Sequence, residues 1–230
     1  MTLDVATALF TNGQPDQAVE LCRQHVQQNP GDANGWDMLG VMLYNLRRYR
    51  PAAEALNRAL QLAPDDPRML GHLGAVLKAM GQLPAAEAAI LKSLALAPAN
   101  PEVLNNYGNL LNDMLRAFEA EEAFRRVISL DSGNAGAYGN LAYTMFLLGR
   151  NSEGEAFARR GLKVDPESAI LQNSMGSSVM GQDRLVEAAG YFRRAVELDP
   201  SFTVAHSNLL FCRNYDPEAS AEEIFADYRR

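Results

Sequence analysis

Residues 33–66, ANGWDMLGVMLYNLRRYRPAAEALNRALQLAPDD, decide the fold, because the pattern they set recurs along the chain. With Ala33 as position 1, Pro64 stands at position 32. Pro30, Pro98, Pro166 and Pro200 fall in the same 34-residue register, and only Ser132 breaks it. A fixed period of this length marks stacked supersecondary units, each too small to bury its apolar face alone. It directs attention away from a buried catalytic pocket and towards an extended binding surface.

The apolar positions inside the unit have helical spacing. Position 4 is Trp36, Leu70, Leu104, Tyr138, Gln172 or His206, and position 7 is Leu39, Leu73, Tyr107, Leu141, Met175 or Leu209. Position 8 is small in Gly40, Gly74, Gly108, Ala142 and Gly176, and position 11 is Leu43, Leu77, Leu111, Met145 or Val179. The 4, 7, 8, 11 spacing is one face of an α-helix. A second helix carries small residues at position 20 (Ala18, Ala52, Ala86, Ala120, Gly154, Ala188) and larger ones at position 24 (Cys22, Leu56, Ile90, Phe124, Phe192), with Ala158 as the small exception. Small against large predicts two helices packed knob into gap.

The punctuation agrees. Asp32, Asp66, Asn100, Asn134 and Ser168 each precede a first helix as N-caps, and Pro67 and Pro101 take the first helical position after two of them. Gly81 and Gly149 lie between paired helices. The spacing predicts six helix-turn-helix units at 1–32, 33–66, 67–100, 101–134, 135–168 and 169–202. A seventh first helix follows at 203–213, so the array covers 1–213 and a turn with a capping or linker helix covers 214–230.

Trp36-Asp-Met-Leu39-Gly40, Leu43, Ala52, Leu56, Ala59 and Pro64 resemble the tetratricopeptide repeat (TPR), and six copies in register extend the resemblance over nearly the whole chain. It implies an all-α fold, a right-handed superhelical solenoid of antiparallel helix pairs whose first helices line a concave groove. Positions 2, 5, 6, 9, 12 and 13 of each first helix are then expected to face that groove.

Composition narrows the function. A net charge of −7 argues against nucleic acid as partner. Met1-Thr-Leu-Asp-Val has no basic n-region, and no run of about 18 apolar residues is present, so neither a signal peptide nor a membrane span is expected. Cys22 and Cys212 lie in the first and last repeats, too distant to pair, which fits a reducing, cytoplasmic setting. His25, His72 and His206 lack the i, i+4 spacing of a metal pair. No nucleophile triad, Walker loop or dinucleotide fingerprint is found. The expectation is a chain that performs no catalysis by itself and needs no cofactor or metal.

The groove positions are rich in amides. Asn105, Asn106, Asn109 and Asn112 share one first helix, and Asn140, Tyr143, Asn173 and Asn208 continue the series. An amide donates and accepts, so a ladder of them can clamp an extended peptide backbone. The alternative is that they solvate an exposed face or bond between repeats; asparagine is a mediocre helix former, so four in one helix call for a reason. A second stripe, Arg58, Arg125, Arg126 and Arg159, follows Glu54, Glu121, Glu122 and Glu155 by four residues and is expected as a solvated convex face of ion pairs. The carboxylate clamp of chaperone-adaptor TPR modules is not expected, because Asn105, Ile170 and Ser174 stand where it would place cations. Repeat 5, with Gly154 and Gly161 in mid-helix, reads either as drift or as a softer joint.

The end of the chain follows another logic. Asn214-Tyr-Asp-Pro217 predicts a turn, and Ser220 with Glu223 forms a capping box ahead of Ile224, Phe225 and Tyr228. Residues 205–210, Asn214, Tyr215, Pro217, Ser220, Glu222, Glu223, Phe225 and Arg229-Arg230 resemble the junction between TPR array and catalytic region in bacterial proteins similar to O-GlcNAc transferase and SPINDLY. Asn106, Asn140 and Asn208 match that family's asparagine ladder, whereas Met38, His72 and Ser174 depart from it. The resemblance implies a substrate-recognition region for a protein glycosyltransferase. A free-standing TPR adaptor or assembly scaffold is the alternative, and self-association as a homodimer through an exposed repeat face is a third.

Overall fold

The computed structural model describes residues 2–215 together with Ser220 and Glu222. The described residues form thirteen α-helices and no strand: α1 (Thr2–Thr11), α2 (Pro15–Gln28), α3 (Ala33–Asn45), α4 (Tyr49–Leu62), α5 (Pro67–Ala79), α6 (Leu83–Leu96), α7 (Pro101–Asp113), α8 (Ala117–Leu130), α9 (Ala135–Leu147), α10 (Asn151–Val164), α11 (Ala169–Met180), α12 (Leu185–Leu198) and α13 (Thr203–Asn214). This is the all-α repeat architecture that the 34-residue period predicts. The chain forms two compact units, one up to Leu110 and one from Leu111. Most of the predicted turn and capping helix over 214–230 lies outside the described residues.

The caps form as their chemistry requires. Asp32 Oδ1 accepts from Asn34 N, Asp66 Oδ1 from Arg68 N and Met69 N, Asn100 Oδ1 from Glu102 N and Val103 N, Asn134 Oδ1 from Ala137 N, and Ser168 Oγ from Leu171 N. Each satisfies amide donors that the first helical turn leaves open, worth about 1 kcal/mol apiece.

The inter-helix turns are more uniform than their residues suggest. Position 15 is left-handed in all six: Gly13, Gly81 and Gly149, but also Arg47 (φ 57), Leu115 (φ 60) and Asp183 (φ 61). The backbone N–H of position 16 reaches the carbonyl of position 11 in every case, as in Arg48 to Leu43 (2.9 Å) and Arg150 to Met145 (2.8 Å). That is a Schellman closure, which satisfies orphan carbonyls at the helix end. It holds even where the left-handed residue has a Cβ and the conformation costs about 1–2 kcal/mol.

Size complementarity between paired helices sets the core. In the first unit a Cβ at Gly40 would stand 2.6 Å from Leu56 Cγ, and one at Gly74 would stand 2.4 Å from Ile90 Cγ1. In the second unit a Cβ at Gly176 would lie 2.6 Å from the Phe192 ring. The small residue at position 8 therefore admits chiefly the position-24 side chain, and Leu56, Ile90 and Phe192 are fully buried. Repeat 5 lacks the large partner at position 24. Ala142 and Ala158 face each other, and the neighbours close on the glycines instead. A Cβ at Gly154 would meet Ser178 Oγ at 2.6 Å, and one at Gly161 would meet Leu171 Cδ2 at 2.4 Å and Tyr138 Cβ at 2.8 Å. These are points of close approach, which speaks against a soft joint here.

The outer stripe is ion-paired. Arg125 meets Glu121 and Arg159 meets Glu155 at 2.7 Å, as the spacing predicts, whereas Arg58 donates to Gln61 instead. Arg150 bridges Glu121 and Glu153, and Arg184 bridges Glu155 and Glu187, which links successive repeats of the second unit. Hydrogen bonds from the neighbouring amide and guanidinium groups, Gln182 first, hold the Glu155 carboxyl below its ordinary range. The arginines are a third or more exposed, so the network contributes modestly.

Candidate binding face

First helices bury positions 7, 8 and 11 in the repeat core, and the opposite side of each helix is left to form a face. In the first unit that face belongs to α1, α3, α5 and α7 as far as Leu110. Asp37, at position 5 of α3, is almost wholly buried (2% exposed). A carboxylate taken out of water needs partners of opposite charge or strong donors. It has both: His72 Nδ1 on α5 lies 2.7 Å from one oxygen and the Arg68 guanidinium bonds to the other. Arg68 also donates to Asn34 Oδ1 at 2.8 Å. With Nδ1 against a carboxylate, His72 keeps its proton on that nitrogen. Nε2 then lies 3.8 Å from Glu102 Oε1 on α7.

Two clefts flank this cluster. One, about 440 Å³, lies between α1, α3 and α5 and is lined by Thr7, Phe10, Met38, Val41 and Asn45, with Asp37, Arg68 and His72 among its polar groups. The other, about 290 Å³, is lined by Tyr44, Asn45, His72, Ala75, Glu102 and Asn106. Of the predicted groove residues in this unit, Asn105, Asn106 and Asn109 are half-buried on α7, and Asn106 borders the smaller cleft.

In the second unit the face belongs to α9, α11 and α13. Asn208 Nδ2 donates to Asn173 Oδ1 at 3.2 Å across adjacent first helices. Asn140 is half-buried and Tyr143 is exposed. Asn112 departs from the expectation of a groove-facing amide. It is buried, and its Nδ2 donates at 2.9 Å to Thr144 Oγ1, whose hydroxyl in turn donates to the Asn140 carbonyl. Position 12 of α7 abuts α9, so this amide joins helices instead of presenting itself to a ligand.

Sequence reasoning passed over two features. The Asp37–His72 and Asn173–Asn208 pairs are both 35 residues apart, position 5 of one repeat meeting position 6 of the next; a search for complementary residues at one more than the period would have found them. The second is a set of exposed large apolar side chains on α9, α11, α13 and the residue that caps α13: Tyr143, Leu147, Ile170, Val204, Phe211 and Tyr215. They sit at positions 2, 9 and 13, where a count of amides alone does not look.

Cys22 and Cys212 are fully buried, and desolvation pushes both thiols up to about 11, far from a reactive thiolate. Among the described residues no cluster of His, Cys, Asp or Glu is disposed to hold a metal ion, and no helix is long and apolar enough to cross a membrane.

The tetratricopeptide repeat family model matches residues 3–67, 38–101 and 148–201, together more than half of the chain. No curated protein matches it in sequence. Several solved structures share the fold. The APC/C hetero-tetramer Cut9–Hcn1 aligns with a TM-score of 0.82 at 16% identity, over 92% of this chain and 42% of that longer one. PilW, a type IV pilus biogenesis factor, aligns at 0.78 and 16% identity over 90% of this chain and 96% of its own. YrrB, a TPR protein with an unusual peptide-binding site, aligns at 0.57 and 16% identity over 81% and 96%. At such identities the likeness extends to the fold alone. Period, caps, turns and family match agree, and the chain belongs to the tetratricopeptide repeat family.

Proposed function

We propose that this chain is a protein-interaction module that holds an extended segment of a partner protein against the inner faces of its first helices. The observation that carries this is the pairing of position 5 with position 6 of the next repeat. Asn208 fills one acceptor of Asn173 and leaves that amide's two donors, the groups needed to bind a peptide carbonyl. Asn140 and Tyr143 belong to the same unit's face in this reading, and Asn105, Asn106 and Asn109 present the amides of the first unit's own face. Without cations at Asn105, Ile170 and Ser174, the segment is gripped along its backbone and not by a terminal carboxylate. The chain works by binding, with no chemistry of its own. Two buried, unreactive thiols fit a cytoplasmic setting.

Selection of a displayed peptide library on the immobilised chain tests the module. Enriched peptides should bind at least about tenfold more weakly when Asn106, Asn109 and Asn173 are replaced by alanine, a loss of roughly 1.4 kcal/mol. No enrichment, or enrichment indifferent to these changes, refutes it.

A second reading rests on residues 205–230, whose resemblance to the junction of O-GlcNAc transferase-like proteins makes the module the substrate-recognition arm of a protein glycosyltransferase. It predicts a nucleotide-sugar-binding region encoded downstream of Arg230, which reading the gene checks directly. A free-standing adaptor or scaffold predicts none. Light scattering distinguishes a monomer from a homodimer in either case.

A further inference from the structure

The first helices lying wholly within the second unit differ in kind from those of the first. At positions 2, 5, 6, 9, 12 and 13 of α9, α11 and α13 there is no Asp, Glu, Lys or Arg, although 21% of the chain is charged. The same positions in the first unit carry Asp4, Asp37, Arg68, Lys78 and Glu102. In place of charge the second unit presents aromatic and aliphatic groups, each 42–61% exposed: Tyr143, Leu147, Ile170, Val204, Phe211 and Tyr215. Two ring pairs organise them. Tyr143 stacks with Phe146 on α9 at 6.4 Å between centroids, and Phe211 leans on Tyr215 at 5.0 Å after α13. On α11, Ile170 is exposed and Asn173 accepts from Asn208 of α13.

Exposed apolar groups in such number mark an interaction surface. The missing charge selects what covers it. A lysine or a carboxylate from a partner would lose water here and meet no counter-charge on these positions, so charged segments are disfavoured. Geometry selects further. Adjacent packed helices lie about 8–10 Å apart, so one side chain per repeat requires a ligand that repeats at about that distance. A polyproline II strand rises about 3.1 Å per residue with three residues per turn, and so repeats at about 9 Å. Its carbonyls have no internal donors, and its prolines bring no N–H that needs an acceptor. The two remaining N–H groups of Asn173 suit that imbalance, and aromatic faces suit proline rings.

We propose that the inner face of α9, α11 and α13 binds an uncharged, proline-containing segment in polyproline II conformation, with a large apolar side chain at every third position. The inference rests on the interaction-module reading above and adds the chemistry of the ligand.

Calorimetry on the full chain with capped synthetic peptides tests it. The probe has four Pro-Pro-Leu triplets. Comparison peptides replace one proline of each triplet with lysine or with glutamate, or both prolines with Gly-Ser. Pro-Pro-Leu should bind with an affinity unchanged between low and high salt, and about tenfold more tightly than any comparison peptide. Phe211→Ser and Ile170→Ser should each weaken it about tenfold, and Val186→Ser, at an exposed site on α12, should leave it unchanged; thermal melts confirm that each variant is folded. Equal or tighter binding of a charged peptide, or strong salt dependence, overturns the proposal. Equal binding of the Gly-Ser-Leu peptide overturns its conformational part. If Pro-Pro-Leu fails while library selection yields charged or non-proline peptides, the proposal falls and the module stands; if selection also fails, both fall.

Discussion

Substituting Gly161 by alanine separates two accounts of repeat 5 by the sign of one number. In an unconstrained helix, glycine to alanine stabilises by about 1 kcal/mol. At Gly161 the added Cβ would stand 2.4 Å from Leu171 Cδ2 and 2.8 Å from Tyr138 Cβ. Leu171 is fully buried and cannot swing into solvent, and Tyr138 Cβ is fixed to the α9 backbone. Forcing a methyl into such a site costs about 1–3 kcal/mol, and this one belongs at the upper end. The net expectation is a loss of about 1–2 kcal/mol. For a chain of this length that lowers the melting temperature by about 3–6 °C. Gly190 supplies the control. It is exposed on α12, and nothing lies within 4 Å of where its Cβ would be, so Gly190→Ala should raise the midpoint by about 2–4 °C. Melts followed by circular dichroism read both. If Gly161→Ala also raises the midpoint, the close approach of α9, α10 and α11 is not what holds glycine there, and repeat 5 is a soft segment after all.

Other perturbations test the turns, the buried cluster and the titrating groups. Leu115 is left-handed and 87% exposed, so Leu115→Gly should stabilise by about 1 kcal/mol in urea unfolding, whereas Gly149→Ala, at φ +71 with open space around it, should cost about 1–2 kcal/mol. Asp37→Ala removes two charge-assisted hydrogen bonds and should cost about 3 kcal/mol by the same assay, less whatever Arg68 recovers by rehydrating its half-exposed guanidinium. The hydrogen bond from His25 holds the Asp32 carboxyl below its ordinary range; its contribution is present above the unfolded carboxylate pKa and lost as pH falls through the folded one. Asp32→Asn should therefore lower stability at neutrality and flatten its decline below about pH 4, where the two proteins converge. Both thiols are pushed up to about 11, so a thiol-reactive dye at pH 8 should label Cys22 and Cys212 only as the chain unfolds; fast labelling of native protein would contradict their burial. Because the unfolded thiols ionise first, stability should fall as pH rises from about 9 towards 11.

What the amino-acid sequence determined by itself is local and periodic. Caps such as Asp66 and Ser168 act on amides two or three residues away, and the 4, 7, 8, 11 spacing needs only helix geometry, so both were legible without coordinates. The contrast of small residues at positions 8 and 20 with larger ones at position 24 was legible for the same reason, since it recurs in every unit but repeat 5. Partnership across helices had to wait for tertiary structure. Asp37 looked like one more groove residue until α5 brought His72 and Arg68 onto its two oxygens. Asn112 looked like a ligand donor until α9 claimed its amide. Leu115 showed no glycine to announce its turn, because the closing hydrogen bond from Arg116 N to the Leu111 carbonyl, not the side chain, imposes the conformation. The glycines of repeat 5 read as weakness until Leu171 and Tyr138 were seen filling the space beside Gly161. For Asp37, Asn112 and Gly161 the deciding energy comes from desolvation or close contact with residues on another helix. A one-dimensional pattern records which residues are small or polar, and only packing decides what they meet.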